Sequence, residues 1–409
     1  MVSLENQTEN SSTQTETTIG LALSGGGSRA VAFHLGCMKA LNELGLLDRI
    51  DVISSVSGGS LIAAMYVYSS GAFEEFEENV LNLLRRGLFW SILIECLKPW
   101  NLLQSLLAFI FSAIPGMFLD LSREIISLIL QIFHLATPKT RDLLFQIQNP
   151  SGRFFNRTGA FEKVLERELF PNMKINSQRR NGVSIVINAT ELATGTAFRF
   201  GNVESGSWRF GTIENNRVKV SRAVAASAAY PFFLPSIDTR LVFLDKGKRK
   251  TKRIILSDGG IVDNLGTSCF NPSRQSQIST NVYHPGVIIS CDAGQGQFDV
   301  SSKPTWWVPR VNQAYLASFR KLQDAGKNDL FQWKNSGAIS RFVLAMLGQK
   351  DDKLMRDLEI HRLPNDFVKR SNVKDYPTDF NAMSDKDMHL LISRGQSIMT
   401  LLVNQYLQK

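Results

Sequence analysis

The spacing of hydrophobic positions changes period several times along residues 18–70, and each change predicts an element. Ile19-Gly20-Leu21-Ala22-Leu23 is a short apolar run bounded by Ser24 and three glycines. A run of that length between turn residues predicts a buried strand. Ala32, Leu35, Met38, Leu41 and Leu44 then recur at helical spacing, and Gly45 stands where a C-cap falls. Asp51 to Val56 predicts a second strand, and Gly59 to Tyr66 opens a second helix. Strand, glycine turn, helix, strand, turn and helix in close succession point to a parallel α/β layer fold.

Residues 85–140 have another character. Long apolar stretches run from Leu88 to Ile94, Leu102 to Leu119 and Ile125 to Ala136. They are interrupted or bounded by Lys98-Pro99, Gln104, Pro115-Gly116, Asp120, Arg123 and Glu124. None supplies the roughly 20 clean apolar residues of a spanning helix. Two readings stay open: a membrane-contacting or lid-like insertion, and buried core helices.

The layer pattern resumes after Lys174. Ser184 to Asn188, Phe198 to Phe200 and Gly286 to Ser290 predict strands, and Val220 to Ala229 a helix that stops at Tyr230-Pro231. Leu241 to Leu244 and Arg253 to Leu256 predict a hairpin around a basic tip. Residues 301–409 are mainly helical in pattern, and the N-terminal 1–17 are polar and read as a disordered arm. That arm lacks the basic start and apolar core of a secretory signal. The organisation expected is an arm at 1–17, an α/β domain at 18–300 with its insertion at about 85–140, and a helical part at 301–409 packed on that domain.

The 409 residues are 44% hydrophobic and 20% charged, enough apolar material for a large core. The net charge of +9 favours polyanionic partners, either a nucleic acid or an anionic membrane surface. Cys37, Cys96, Cys269 and Cys291 are scattered with no CxxC pair, which reads as free thiols and as neither a zinc site nor a disulfide framework. Lys246 to Arg253 is the densest basic run. Its plain reading is a solvated hairpin tip, and from Arg253 to Asp258 the strand runs roughly 16 Å away from it. A ligand-holding role at the Asp258 end of the strand is therefore not expected of it. No acidic cluster of EF-hand type is present, so metal-independent chemistry without a cofactor is expected.

Three motifs carry candidate chemistry. Ser24-Gly25-Gly26-Gly27-Ser28-Arg29-Ala30 joins a strand to a helix. Consecutive glycines let backbone N–H groups converge on one space, and a helix N-terminus adds partial positive charge. The stretch reads as an oxyanion hole, as a dinucleotide fingerprint (Gly25, Gly27 and Ala30, with Asp48 or Asp51 as the acidic partner), or as a plain tight turn. Ser55-Val56-Ser57-Gly58-Gly59-Ser60 lies where the next strand meets the next helix, the place of a nucleophile elbow, with Ser55 where glycine usually leads. Ser257-Asp258-Gly259-Gly260 ends an apolar strand. It reads as a common Asp-Gly turn or as the base that a serine hydroxyl needs. No histidine has a comparable strand-end place, and His34 reads as a packing residue.

These motifs together resemble the patatin-like phospholipase family: the glycine nest with its Arg (Gly25-Gly26-Gly27-Ser28-Arg29), the serine elbow (Ser57) and Asp258-Gly259-Gly260. Ala189 to Gly195, Arg222 to Pro231 and Pro235 add to the likeness, which covers roughly residues 18–70 and 180–295 in the family's order. The resemblance implies a three-layer α/β/α fold with a central mostly parallel sheet. It implies a serine lipid acyl hydrolase of phospholipase A or lysophospholipase type. Ser57 is then the nucleophile and Asp258 the base, with an oxyanion hole drawn from Gly25, Gly26, Gly27, Ser28, Arg29 and Gly58, chiefly the N–H groups of Gly26, Gly27 and Gly58. The implied partners are a phospholipid substrate and a membrane surface touched from the cytoplasmic side. The resemblance also leaves room for a latent membrane-degrading effector, switched on by an activating ligand, a partner or homo-oligomerisation. The competing readings are a non-catalytic membrane-binding protein on a vestigial hydrolase fold and, more weakly, a nicotinamide-dependent oxidoreductase.

Overall fold

The computed structural model of the chain describes residues 18–108, 110, 114–132, 137, 156–180, 182–231, 233–296 and 306–408. The stretch 1–17, read as a disordered arm, lies outside them, as do parts of the apolar insertion.

The strands are β1 (Ile19–Leu23), β2 (Val52–Val56), β3 (Ser184–Glu191), β4 (Thr196–Gly201), β5 (Ser205–Ser207), β6 (Gly211–Ile213), β7 (Ile237–Asp245), β8 (Lys248–Asp258), β9 (Val287–Asp292) and β10 (Arg341–Met346). They form one mixed sheet in the order β10-β9-β1-β2-β3-β4-β5-β6-β7-β8. From β10 to β3 every neighbouring pair is parallel. From β3 to β8 every pair is antiparallel. The end of β8 returns to β3, pairing Leu256, Ser257 and Asp258 with Glu191, Thr190 and Ala189. The antiparallel half therefore closes on itself like a small barrel beside the parallel half. β10 lies in a region that the sequence pattern reads as helical. Its six residues expose alternate sides, and only pairing with β9 makes a strand of so short a run.

Alternation along the parallel strands builds a core on each sheet face. Leu21, Leu23, Ile53, Ile185, Ile187, Ile289 and Val343 face one side. There they meet helices α1 (Gly27–Glu43) and α2 (Gly58–Val67). Ala22, Val52, Val186 and Ile288 face the other side, where Cys269, Phe270 and Leu330 cover them. The result is the three-layer arrangement. The next helices are α3 (Phe73–Arg86), α4 (Phe89–Leu97), α5 (Pro99–Ala108), α6 (Ile114–Ile132), α7 (Arg157–Glu168), α8 (Val220–Ser227) and α9 (Gly260–Asp263). The C-terminal region adds α10 (Trp307–Asn335), α11 (Asp351–Asp357) and α12 (Asp385–Tyr406).

Helices α4, α5 and α6 are not core helices. Trp90, Trp100 and Phe118 are 65%, 66% and 60% exposed, and most other large apolar residues there are exposed too. No helix among the described residues is long and apolar enough to cross a membrane. A polar clamp fixes the base of this layer. Buried Glu95 accepts from Lys98 Nζ at 2.6 Å, Arg167 Nη1 at 2.8 Å and Asn101 Nδ2 at 3.1 Å. Burial works to raise the Glu95 carboxyl, but these hydrogen bonds outweigh it and hold the group below its usual range.

Helices α1 and α12 cross at two glycines. A Cβ on Gly36 would run into the Ile392 carbonyl, and one on Gly395 into the Phe33 carbonyl. Gly36→Val should therefore destabilise the fold by about 1–3 kcal/mol, read as a lower urea midpoint at an unchanged m value.

Candidate active site

β2 ends at Val56 and α2 begins at Gly58, so Ser57 makes the turn between them alone. Its φ of 51° and ψ of −119° lie in a region that costs a side-chain-bearing residue about 1–3 kcal/mol. Hydrogen bonds hold it there. The Ser57 N–H donates to Ser227 Oγ at 2.9 Å, and Ser227 Oγ donates to the Asn188 carbonyl of β3 at 2.6 Å. Ser60 Oγ joins the same group, 2.8 Å from Ser227 Oγ. Gly58 must be small because a Cβ there would meet the Gly27 carbonyl and stand 2.9 Å from the Gly27 nitrogen. Ser55, in the place of the usual leading glycine, is an ordinary residue of β2 and donates its hydroxyl to the Val186 carbonyl at 3.1 Å. The tight part of this turn begins after it, so no glycine is needed.

Asp258 is the last residue of β8. Asn188 pairs with Val56 and the next residue, Ala189, pairs with Asp258. The end of β8 therefore stands directly beyond the end of β2. The Asp258 main chain is fixed by its N–H donating to the Ala229 carbonyl at 3.0 Å and by its carbonyl accepting from Thr190 Oγ1 at 2.8 Å. Its carboxyl accepts from the Gly260 N–H at 2.7 Å and stands beside the Ser57 side chain, which favours the ionised form. Burial pushes the carboxyl up to about 7, against the lowering effect of those two neighbours. The Phe319 ring edge lies 2.8 Å from where a Gly260 Cβ would be, and Tyr230 stacks on Phe233, so this end of the sheet has aromatic walls.

The glycine nest lies against the serine turn, with the Cβ position of Gly25 3.2 Å from Ser57 Cβ. The predicted oxyanion set of six narrows here. The Gly25 N–H is taken by the Asn264 carbonyl at 3.2 Å, and the Ser28 N–H by the Asp379 carbonyl at 2.7 Å. The Arg29 guanidinium is turned inward, donating to the Ala293 carbonyl at 2.9 Å and the Tyr376 carbonyl at 2.8 Å. Burial lowers it to about 10 against the pull of Asp292 and Asp379. Arg29 is thus a brace between the nest and the C-terminal region. Gly25, Ser28 and the Arg29 side chain do not donate into the site. The N–H groups of Gly26, Gly27 and Gly58 have no acceptor among the described residues. The φ of +58° at Gly27 belongs to the left-handed region that favours glycine.

The dinucleotide reading does not fit. Asp51 stands at the opposite end of β2 and accepts from the Ile19 N–H at 2.6 Å. The backbone of Asp379 also covers Gly27. His34 is buried on α1 with Nε2 2.9 Å from the Ser24 carbonyl, a packing residue as expected. Among the described residues, no group of three or more His, Cys, Asp or Glu gathers to hold a metal ion. The sequence reading gives no role to Ser227, which lies within the Arg222 to Pro231 stretch, or to Asn264, six residues after Asp258, and Asp379 comes from a distant segment with no glycine or strand-end signature.

The sequence model of the patatin-like phospholipase family matches residues 21–269, a span that contains Ser57, Asp258 and the nest. Among solved structures, human GIVD cytosolic phospholipase A2 aligns with 94% of this chain at 15% identity and a TM-score of 0.50. VipD from Legionella pneumophila aligns with 96% at 14% identity and a TM-score of 0.37. The type III effector ExoU of Pseudomonas aeruginosa aligns with 95% at 14% identity and a TM-score of 0.29. The chain spans 58%, 67% and 53% of those three chains. No curated protein matches it by sequence.

Replacing Ser227 with Ala removes the acceptor that holds the Ser57 N–H. A buried donor left unpaired costs about 1–3 kcal/mol. Ser227→Ala should lose stability by that amount in urea titration, although the serine it supports is untouched.

Proposed function

The chain belongs to the patatin-like phospholipase family, and from that premise we propose that it is a serine lipid acyl hydrolase working through Ser57 and Asp258. The observation that carries the reading is the strained Ser57, set beside a buried carboxyl and flanked by three backbone N–H groups that have no acceptor among the described residues. Ionised Asp258 accepts the Ser57 proton as Oγ attacks the ester carbonyl carbon. The N–H groups of Gly26, Gly27 and Gly58 stabilise the negative oxygen of the tetrahedral intermediate. The intermediate collapses, the C–O bond to the alcohol breaks, and protonated Asp258 returns the proton to that oxygen. Water then attacks acyl-Ser57, with Asp258 again taking a proton, and fatty acid leaves. A base near 7 suits this work, since it is ionised at neutral pH and still holds a proton firmly enough to return it.

The substrate proposed is a membrane phospholipid. The exposed apolar layer of α4, α5 and α6 supports a protein that rests on a bilayer without crossing it. The basic hairpin tip at Lys246–Gly247 lies just beyond Lys248, itself ten residues and about 33 Å from Asp258 along β8, and is read as general attraction to an anionic surface. Part of its charge is neutralised by Arg249–Glu214 and Lys250–Asp245 pairs. The rival reading, membrane binding without catalysis, has no observation in its favour beyond that apolar layer.

Ser57→Ala and Asp258→Asn should each abolish fatty-acid release from mixed phospholipid vesicles, a loss of about 10³-fold or more, with the fold retained by circular dichroism. Vesicle binding by wild type without any release of fatty acid would overturn the catalytic reading. The pH dependence has a definite sign. kcat/KM should rise through about 7 as Asp258 ionises, and this limb is read from rates on a soluble short-chain ester. Stability should run the other way. The folded carboxyl keeps its proton up to about 7 and the unfolded one releases it near 3.8, so its contribution is present at low pH and is lost as pH rises through 7. Asp258→Asn should remove that loss and be the more stable protein at pH 8, in thermal unfolding.

The membrane contact has its own test. A fully buried large apolar side chain contributes about 1.5–3 kcal/mol. Replacing Trp90, Trp100 and Phe118 together by Glu should weaken vesicle binding by at least about 10²-fold by cosedimentation, while turnover of the soluble ester stays unchanged.

A further inference from the structure

Asn264 follows the short helix α9, and its main chain is already committed. Its carbonyl accepts from the Gly25 N–H at 3.2 Å. The preceding Asp263 is also saturated, accepting from the Gly266 N–H at 3.0 Å and the Ser268 N–H at 2.6 Å. The Ser54 hydroxyl of β2 ties the same loop down by donating to the Gly266 carbonyl at 2.5 Å. Asn264 is thus presented by a loop fixed at several points.

Its side chain is not committed. Asn264 is only 5% exposed, and its amide makes no hydrogen bond within the described residues. Neither amide atom is sealed from solvent, so the side chain keeps a narrow face open to water. Its position shows where that face lies. The place where a Gly25 Cβ would stand is 2.5 Å from Asn264 Oδ1 and 3.2 Å from Ser57 Cβ. The corresponding place off Gly260 is 2.8 Å from Asn264 Oδ1, 2.8 Å from Asp258 Oδ1 and 2.8 Å from Phe319 Cε2. The amide oxygen therefore flanks both nucleophile and base, and only glycines separate it from them.

We propose that Asn264 Oδ1 orients the water that hydrolyses acyl-Ser57. This rests on the Ser57 and Asp258 reading above. In acylation Asp258 takes its proton from the fixed Ser57 hydroxyl, which the elbow already aims. In deacylation the proton comes from a free water, and nothing in the dyad fixes where that water's lone pair points. Two acceptors do. Asp258 takes one hydrogen, and Asn264 Oδ1 accepts a hydrogen bond from the other. The water oxygen then faces the acyl carbon and forms the new C–O bond. On collapse the bond from the acyl carbon to Ser57 Oγ breaks, Asp258 returns its proton to Oγ, and the acid leaves. Asn264 gains and loses no atom. It touches the reacting water and so counts among the catalytic residues of this one half of the cycle.

The test separates the two halves. Rapid mixing with a nitrophenyl acyl ester reads acylation as the burst of nitrophenol and deacylation as the steady state, and intact mass spectrometry reads acyl-Ser57. In Asn264→Ala the steady state should fall about 10²-fold, the burst rate should stay within about threefold, and acyl-Ser57 should accumulate. An equal fall in both steps, or no change in either, overturns the proposal. Asn264→Asp keeps shape and acceptor and covers the case in which the alanine variant does not fold. It should show less acyl-Ser57 than the alanine variant once pH is above the ascending limb, with that limb moved to higher pH because a second carboxylate opposes ionisation of Asp258. An unshifted limb in Asn264→Asp overturns the role. A wild type that forms no acyl-Ser57 at all overturns the dyad reading and this inference together, whereas a normal burst with deacylation insensitive to Asn264 overturns this inference alone.

Discussion

One edge of β3 is shared by two strands that run toward each other. β2 pairs in parallel with Ser184 to Asn188, and the end of β8 pairs antiparallel with Ala189 to Glu191. Where β2 stops the chain turns through Ser57, and where β8 stops the chain presents Asp258. A strand edge has one row of hydrogen-bonding groups, so two strands can share it only end to end. Serine and aspartate meet because neither strand can extend further without displacing the other. The barrel-like closure of β4 to β8 serves this meeting by turning β8 back to the edge it must share.

The meeting is held under strain and in low dielectric. Ser57 adopts a backbone conformation that its side chain disfavours, and the Ser227–Asn188 hydrogen bonds and the α2 helix hold it there. Asp258 is buried to the point that its carboxyl is reluctant to ionise. Both features cost stability and both sit at one sheet end, the usual place where a fold stores such cost for chemistry. The close approach of Gly27 and Gly58 works in the same direction. A side chain at Gly58 would push the elbow off the Gly27 backbone, and one at Gly27 would run into the backbone of Asp379.

The apolar layer of α4, α5 and α6 obeys a different constraint. A soluble surface rarely exposes so many large apolar side chains together. The Glu95 clamp shows that the layer is docked on the body by polar contacts at its base. Its outward face keeps large apolar side chains in the open.

Periodicity made the parallel half of the fold legible, because each buried strand is a short apolar run and each following helix carries an apolar stripe. β1 was read with its observed bounds and β2 began one residue early. Local motif chemistry placed Ser57 and Asp258 at strand ends, because tight turns demand glycine beside the residue they expose. The short strand β10 was not legible, since its pairing partner is supplied by tertiary contact with β9. Nor were the parts that Ser227, Asn264 and Asp379 play in the site, which depend on where helix α8 and the loops carrying Asn264 and Asp379 settle against the elbow and the nest. The glycine nest is the clearest case of a decision left to the tertiary structure. Its sequence offers five neighbouring candidates, Gly25 to Arg29, and the folded chain spends the N–H groups of Gly25 and Ser28 on carbonyls from Asn264 and Asp379. Which N–H groups remain open is a matter of which distant carbonyls arrive, and no local pattern contains that.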